Sequence, residues 1–293
     1  MSQNKEISNV PKDRSHRACI SCAIKSTIKE LPGIIKKRWK MVLTIALLQG
    51  VLFAWALSLS PGMLYVGFEL HPYSIFLVCL SAFALHLIIY GFCFSFLNGE
   101  NTTWNVLRAL KTVPISASFF LLYIIAAVVI SLFYINSCKS PENIPLLNII
   151  LLTTFTLPFL YIITLPLFYV YTRYQIEKDA KLVKSFTKAY ITGFRYWGFI
   201  FIIQFLSALC LVVFEFTICL PQHILIVSQN ASAIGTASLG DISDLPRYFY
   251  ALSALIGIIY GGIRIFEVFF IANVANNCYQ TITIRRTKAK KNI

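Results

Sequence analysis

The distribution of apolar and polar residues divides the chain into short charged segments and long apolar runs. In residues 173–195, apolar positions recur at the spacing of one helical stripe, and lysines fall on the polar side. The stripe comprises Leu182, Val183, Phe186, Ala189, Tyr190 and Gly193, and the lysines are Lys181, Lys184 and Lys188. A basic amphipathic helix of this kind typically lies along a membrane surface. The apolar run that follows, 197–220, is long enough to enter the bilayer.

Six apolar runs reach the length of about 20 residues that a helix needs to cross a bilayer. They are residues 41–61, 73–98, 113–136, 145–172, 197–220 and 248–276. Hydrophobic residues make up 57% of the chain and charged residues 13%, against about 45–50% and about 25% in soluble domains. We therefore predict an all-α polytopic membrane protein. Its six-span domain covers residues 20–279, between a disordered basic segment 1–19 and a basic tail 280–293.

Two other segments precede apolar runs in the same way, so that three amphipathic surface helices are expected. In the first segment, apolar residues recur at helical spacing at Ile24, Ile28, Leu31 and Ile35. Pro32-Gly33 should bend or break this helix before residues 36–40, a basic and aromatic anchor. The second helix is shorter and starts with the capping residues 101–103. Each surface helix is followed by two spans, which predicts a threefold repeat with a period of about 80 residues.

The repeat aligns one cation in each surface helix: Lys29, Arg108 and Lys188. The other cations are also distributed unevenly. Ten of the 26 Lys and Arg precede the first span, two lie in the second loop, six in the fourth and five after the last span. The alternate loops contain only Lys139 and Arg247. Because cationic loops remain on the cytoplasmic side, both termini should be cytoplasmic. Topology and attraction to anionic lipid then explain the net charge of +14 without nucleic acid.

Motifs for other chemistry are not found in the sequence. Cys19 and Cys22, with His16 nearby, lack the second pair of ligands that a zinc site needs. We therefore expect no metal and no cofactor. Neither His-x-Glu nor Gly-x-Ser-x-Gly occurs, and residue counting places no two membrane acids at the same depth. An enzyme is accordingly not expected.

The region from span four to span five resembles a known family. Its pattern is Leu165-Pro166-Leu167, then Tyr169 to Asp179, then Val183-x-Ser185-Phe186-x-x-Ala189, and then Gly193 to Trp197. A proline-bearing span, a short acidic turn and a basic Ala/Ser-rich helix in this order resemble six-span bacterial inner-membrane proteins. These are related to the membrane domain attached to some glycerophosphodiester phosphodiesterases. The resemblance covers most of the chain in architecture and about 30 residues in detail. It implies a cell inner-membrane location and no catalytic residues.

Small residues at four-residue spacing indicate close-packing faces on two spans. They are Ala46, Gly50, Ala54 and Ser58 in span one, and Ser253, Gly257 and Gly261 in span six. Small side chains allow a second helix to approach closely, so both faces should pack inside the bundle.

Polar residues inside the spans are the candidate site. Arg264 and Glu267 lie three residues apart on one face of span six, and charges at membrane depth often mark function. At about 1.5 Å per residue, Arg264 and His86 lie about 24 Å and about 20 Å below the outer ends of their spans. Three residues lie about 10–14 Å above the cytoplasmic ends of their spans: Gln49, Gln204 and Glu267. These five residues should form a polar layer in the inner half of the bundle.

The polar layer has two interpretations. Arg264 and Glu267 either neutralise each other as a structural pair or line a pathway together with His86. Glu215, near the outer end of span five, is too distant in depth to be the main partner of Arg264. The structural interpretation predicts a non-catalytic inner-membrane protein that acts in envelope or lipid homeostasis or as a scaffold. Its partners would be membrane lipids, with anionic lipid at the cytoplasmic face, and other proteins or a second copy of the chain. The alternative is a transporter of lipid or a small solute.

Overall fold

The computed structural model of the protein describes residues 16–64, 72–137, 146–218 and 248–291, together with parts of 220–231. Over these residues the chain forms eight main helices and no strand. They are α1 (His16–Lys37), α2 (Trp39–Leu64), α3 (Pro72–Asn98), α4 (Thr102–Ser137), α5 (Leu146–Ile176), α6 (Leu182–Arg195), α7 (Trp197–Ile218) and α8 (Tyr248–Lys291). The predicted all-α class is confirmed. Most of the predicted N-terminal segment and of the outer loops lies outside the described residues.

Five segments of these helices are long and apolar enough to cross a membrane, which indicates an integral membrane protein. They are Trp39–Ala56, Phe76–Asn98, Thr102–Asn136, Trp197–Ile218 and Ala251–Ala289. The remaining predicted span, 145–172, coincides with α5, a helix of 31 residues. The side chains of residues 146–160 lie outside the described part of the chain. The sixth crossing therefore stays a prediction.

The first helix is not broken at Pro32. α1 passes through Pro32 and Gly33 to Lys37, so of the predicted bend or break the break is wrong, and the bend stays a prediction. The face that contains Thr27 and Ile34 is buried on both sides of the proline, and this packing holds the helix together. Pro32 itself is exposed, so its ring displaces no packed neighbour.

The interruption between α1 and α2 instead occurs at Arg38. Its Nη1 donates to Thr102 Oγ1 at 2.8 Å and to Ser95 Oγ at 3.4 Å. Its guanidinium carbon lies 4.9 Å from the centre of the Phe96 ring. Arg38 therefore ties the α1–α2 junction to the end of α3 and the first residue of α4, in addition to belonging to the cationic segment 36–40.

Two other predicted boundaries are absent. α4 continues through Pro114, so the second surface helix and the third span form one helix. α8 continues to Lys291, beyond the predicted end of span six at residue 276. Within a bilayer, no water is available for backbone groups released by a break, which favours continuing α4 through Pro114.

The chain divides into two compact units. The first comprises Met1–Val106 and Gln204–Asn277, and the second comprises Leu107–Ile203 and Cys278–Ile293. Each is described below by itself.

In the first unit, α2 and α8 pack through their small residues. A Cβ atom added to Gly257 would lie 2.7 Å from Gly50 Cα, and one added to Gly261 would lie 2.7 Å from Ala46 Cα. A Cβ atom added to Gly50 would lie 2.6 Å from the carbonyl oxygen of Ala254. The backbones therefore approach as closely as the absence of side chains allows, and the predicted packing faces around these residues are confirmed.

The same unit contains α1, which packs on α8. Cys19, Ala23 and Thr27 are fully buried along one side of α1. Asn273 Nδ2 donates to Thr27 Oγ1 at 3.1 Å, and Asn277 Nδ2 donates to the Cys19 carbonyl oxygen at 3.3 Å. These bonds satisfy amide groups that would be costly to bury alone.

In the second unit, α6 packs against α5. A Cβ atom added to Gly193 would lie 2.9 Å from the Pro166 carbonyl oxygen, so α6 needs glycine at this crossing. The Tyr190 hydroxyl donates to the Ile163 carbonyl oxygen at 2.7 Å. Burial raises the pKa of the Tyr190 phenol above its ordinary value, which is itself well above neutral pH.

Arg108 closes the end of α5 in the second unit. It is buried, and its two terminal nitrogens donate to the carbonyl oxygens of Glu177, Lys178 and Ala180 at 2.9, 3.0 and 3.3 Å. Its guanidinium also lies 4.1 Å from the centre of the Tyr174 ring. A cation beside carbonyls that follow a helix end offsets the negative end of the helix dipole.

Candidate functional site

The ion pair predicted on span six is present in the first unit. Arg264 Nη1 lies 2.8 Å from Glu267 Oε2. Glu267 is 1% exposed, whereas the Arg264 side chain is partly accessible. The second oxygen of this carboxylate, Oε1, is buried and makes no hydrogen bond that satisfies the usual geometry among the described residues. A buried carboxylate therefore depends on Arg264 for its counter-charge.

A second acid shares this arginine. Glu215 on α7 brings Oε1 to 3.7 Å from Arg264 Nη1, and its carboxyl group also interacts with that of Glu267. Glu267 is the nearer partner, as expected. The expectation that no two membrane acids share a depth is wrong, however, because two carboxylates lie at one guanidinium.

The cause of this difference is the register of α7 and α8. The rings of Phe214 and Phe266 stack with centres 5.0 Å apart, which places residue 215 beside residue 264. Glu215 lies five residues from the predicted outer end of span five at 220, whereas Arg264 lies sixteen residues from the predicted outer end of span six at 248. Residue counting assumed that the two outer ends lie at the same depth.

The other members of the predicted layer lie at different distances from the ion pair. Gln49 is half-buried, and its Cβ would lie 3.0 Å from a Cβ atom on Gly261, one turn before Arg264. His86 is exposed on α3, yet it is close enough to interact electrostatically with Arg264.

Gln204 is the exception among the five. It lies eleven residues before Glu215 on α7, or about 16 Å along the helix axis. The structure therefore pairs Arg264 with Glu267, adds Glu215, and places Gln49 against α8 one turn from Arg264. His86 is in electrostatic range of Arg264, and Gln204 lies about 16 Å from Glu215 along α7.

The surface of α6 has three sectors. Its packed sector comprises the buried residues Leu182, Ala189, Thr192 and Gly193. An exposed apolar sector comprises Val183, Ile191 and Phe194, and Val183 is 85% exposed. An exposed cationic sector comprises Lys184, Lys188 and Arg195. At 3.6 residues per turn, the apolar sector lies between the packed and cationic sectors.

The same order of sectors is found on α1. Its packed sector contains Cys19, Ala23 and Thr27, and its cationic sector contains the exposed residues Lys25 and Lys29. The apolar sector between them contains Ile24, Ile28 and Ile35, all of which are exposed. The predicted apolar stripe of α1 is therefore not the face that packs on the protein.

The three cations aligned by the predicted repeat have different surroundings. Lys29 and Lys188 are exposed, whereas Arg108 is buried and bonded to backbone carbonyls. The threefold repeat thus stays a prediction. The correspondence is closest between its first and third copies, which contain α1 and α6.

Among the described residues, no three His, Cys, Asp or Glu side chains cluster in a way that would hold a metal ion. Cys19 is buried and Cys22 is half-buried, and neither forms a disulfide with another described cysteine. Searches with the whole chain found no matching protein-family model, curated protein or solved structure.

Proposed function

We propose that the chain is a non-catalytic integral protein of a bacterial inner membrane that acts on or through the lipids of the cytoplasmic leaflet. Envelope or lipid homeostasis and membrane scaffolding are the roles that fit this proposal. The observation that carries it is the three-sector surface of α6, in which exposed apolar and cationic side chains lie next to each other on a helix anchored to α5. The resemblance of residues 165–197 to six-span inner-membrane proteins agrees with it.

The energies of the two exposed sectors support an interfacial position. Full burial of a large apolar side chain contributes about 1.5–3 kcal/mol. Val183, Ile191 and Phe194 can gain this energy only if something covers them, and acyl chains would do so. Each Lys or Arg near an anionic membrane surface contributes about 1 kcal/mol at physiological salt. A helix that presents both sectors side by side matches the boundary between headgroups and acyl chains.

A peptide of residues 178–196 tests this proposal. In buffer it should be largely disordered, because helices of this length are marginal in water. On vesicles of anionic phospholipid it should become helical by circular dichroism, and high salt should weaken the binding. A control peptide with Val183 and Phe194 changed to serine retains the charge and should bind much less. If the native peptide stays disordered on anionic vesicles, α6 is not an interfacial helix.

The group around Arg264 supports a second candidate function, transport of lipid or a small solute. Two carboxylates share one guanidinium, with His86 in electrostatic range. Like charges in one low-dielectric site favour the binding of a proton or cation, and charged groups at membrane depth often lie on transport pathways.

The double substitution Arg264→Leu and Glu267→Leu separates the two functions. Replacing both charges should leave stability unchanged or increased, because the remaining acid, Glu215, is partly exposed and stays solvated without Arg264. Arg264→Leu alone should cost about 3–5 kcal/mol because Glu267 remains buried without its partner. Thermal unfolding in detergent measures the stability of each variant. A double variant that folds and fully complements deletion of the gene argues against the pathway, and one that folds without complementing supports it.

A further inference from the structure

A cavity of about 340 Å³ opens between α6 and the last turns of α8 in the second unit. This volume is at the lower end of the range of about 300–1,000 Å³ found for small-molecule sites. Its wall consists of Lys188, Ile191, Thr192, Arg195, Tyr196, Arg286 and Ala289. None of these lining residues is acidic.

The helical spacing of the lining residues explains why their side chains converge. On α6 they occupy positions i, i+3, i+4 and i+7 from Lys188, which form one stripe along the helix. On α8, Arg286 and Ala289 are one turn apart. Cations of two different helices, Lys188 and Arg195 on one side and Arg286 on the other, thus face a common space.

The three cationic groups of the cavity act only as donors. Lysine offers three N–H donors and arginine five, and neither has an acceptor. The Thr192 hydroxyl already donates to the Lys188 carbonyl oxygen at 2.7 Å, so it is left with acceptor capacity only. Three cationic donors without a carboxylate match a group that carries several anionic oxygens.

The apolar part of the wall decides which kind of anion fits. Ile191 lines the cavity and also belongs to the exposed apolar sector of α6. The cavity is therefore continuous with the surface that would contact acyl chains. An anion attached to an apolar tail would satisfy both parts, whereas a free anion would leave Ile191 uncovered.

We propose that this cavity binds the phosphate group of an anionic phospholipid headgroup. Lys188, Arg195 and Arg286 hold the phosphate oxygens, and the acyl chains extend along Ile191 and the apolar sector of α6. This proposal rests on the interfacial position of α6, which is part of the proposed function, and adds a defined site to it.

The cations also have a simpler role, which is to offset the carbonyl groups at the end of α6. The Tyr196 amide already donates to the carbonyl oxygens of Thr192 and Gly193 at 3.3 and 3.1 Å, and Arg195 lies in the last turn. This role would be filled by Arg195 alone and does not explain why Arg286 approaches from another helix.

Native mass spectrometry of the full chain tests the site. The protein in detergent micelles is titrated with phosphatidic acid, with phosphatidylcholine as the zwitterionic comparison. Lys188→Gln and Arg286→Gln should each weaken binding of phosphatidic acid about tenfold, because each removes a charge-assisted hydrogen bond. Lys184→Gln is the matched control, since Lys184 belongs to the same cationic sector and does not line the cavity. Arg286→Lys should restore part of the affinity.

The outcomes separate this site from general attraction to the membrane. If all three glutamine variants weaken binding equally, the site is absent, although α6 would remain an interfacial helix. If phosphatidylcholine binds as tightly as phosphatidic acid, the cavity does not select an anionic headgroup and the proposal fails. Inorganic phosphate at millimolar concentration should not displace the lipid, and complete displacement would assign the cavity to free phosphate instead.

Discussion

Close approach of α2 and α8 through glycine has a measurable energetic consequence. In Gly257→Ala, the new methyl group would lie 2.7 Å from Gly50 Cα and 2.9 Å from Phe53 Cβ. Carbon atoms in favourable contact are about 3.5–4.0 Å apart, so the two helices would have to separate by about 1 Å. Overpacking of this kind costs about 1–3 kcal/mol.

Gly262, on the same helix α8, offers a matched control. Gly262 is exposed, and a Cβ atom added there has no heavy atom within 4 Å among the described residues. Both glycine-to-alanine changes gain about 1 kcal/mol of helix propensity. Gly262→Ala should therefore be stabilising by about that amount, and Gly257→Ala should be less stable than Gly262→Ala by about 1–3 kcal/mol.

Thermal unfolding in detergent, followed by loss of the monodisperse peak in size-exclusion chromatography, compares the two variants. Gly261→Ala should behave like Gly257→Ala, since its methyl group would lie 2.7 Å from Ala46 Cα. Gly257→Leu should be worse than Gly257→Ala because the larger side chain has no space. If Gly257→Ala is as stable as Gly262→Ala, α2 and α8 do not cross at these residues.

Other contacts lead to further predictions. Arg108→Met should lower the free energy of unfolding by about 1.5–3 kcal/mol, because it removes charge-assisted bonds to three carbonyl oxygens. Lys111 is exposed, and Lys111→Met, the control, should change this free energy by less than about 0.5 kcal/mol. Arg38→Gln should cost about 1–2 kcal/mol by thermal unfolding, since the Arg38 bonds to α3 and α4 are lost. For topology, single cysteines at Ser185 and Ser238 should react with a membrane-impermeant thiol reagent from opposite sides, and reaction of both from one side would contradict the six-span arrangement.

Local patterns in the sequence predicted several features of the fold. Apolar run length identified the membrane class, because the bilayer sets a minimum of about 20 residues for a crossing helix. Four-residue spacing of small residues identified the face of α2 that meets Gly257 and Gly261 on α8. The ion pair of Arg264 and Glu267 could also be predicted from the sequence, because residues three apart on a helix are neighbours wherever the helix lies.

The boundaries at Pro32 and before the third span were predicted less well, because proline and tertiary packing have opposite effects on a helix. Pro32 and Pro114 lower local helix propensity by about 3 kcal/mol. Packing of α1 around Thr27 and Ile34, and the lack of water for released backbone groups along α4, favour continuous helices in both places.

The sequence by itself determined that the protein is helical, apolar enough for a membrane, and equipped with basic amphipathic helices, because these properties depend on neighbours within two or three turns. The tertiary structure decided which distant residues meet. The approach of Glu215 to Arg264, the burial of Arg108 at the end of α5, and the arrival of Arg286 opposite Lys188 each depend on how one helix is shifted along another. That shift is set by packing across the whole contact between two helices, and it cannot be obtained by counting residues from the end of a span.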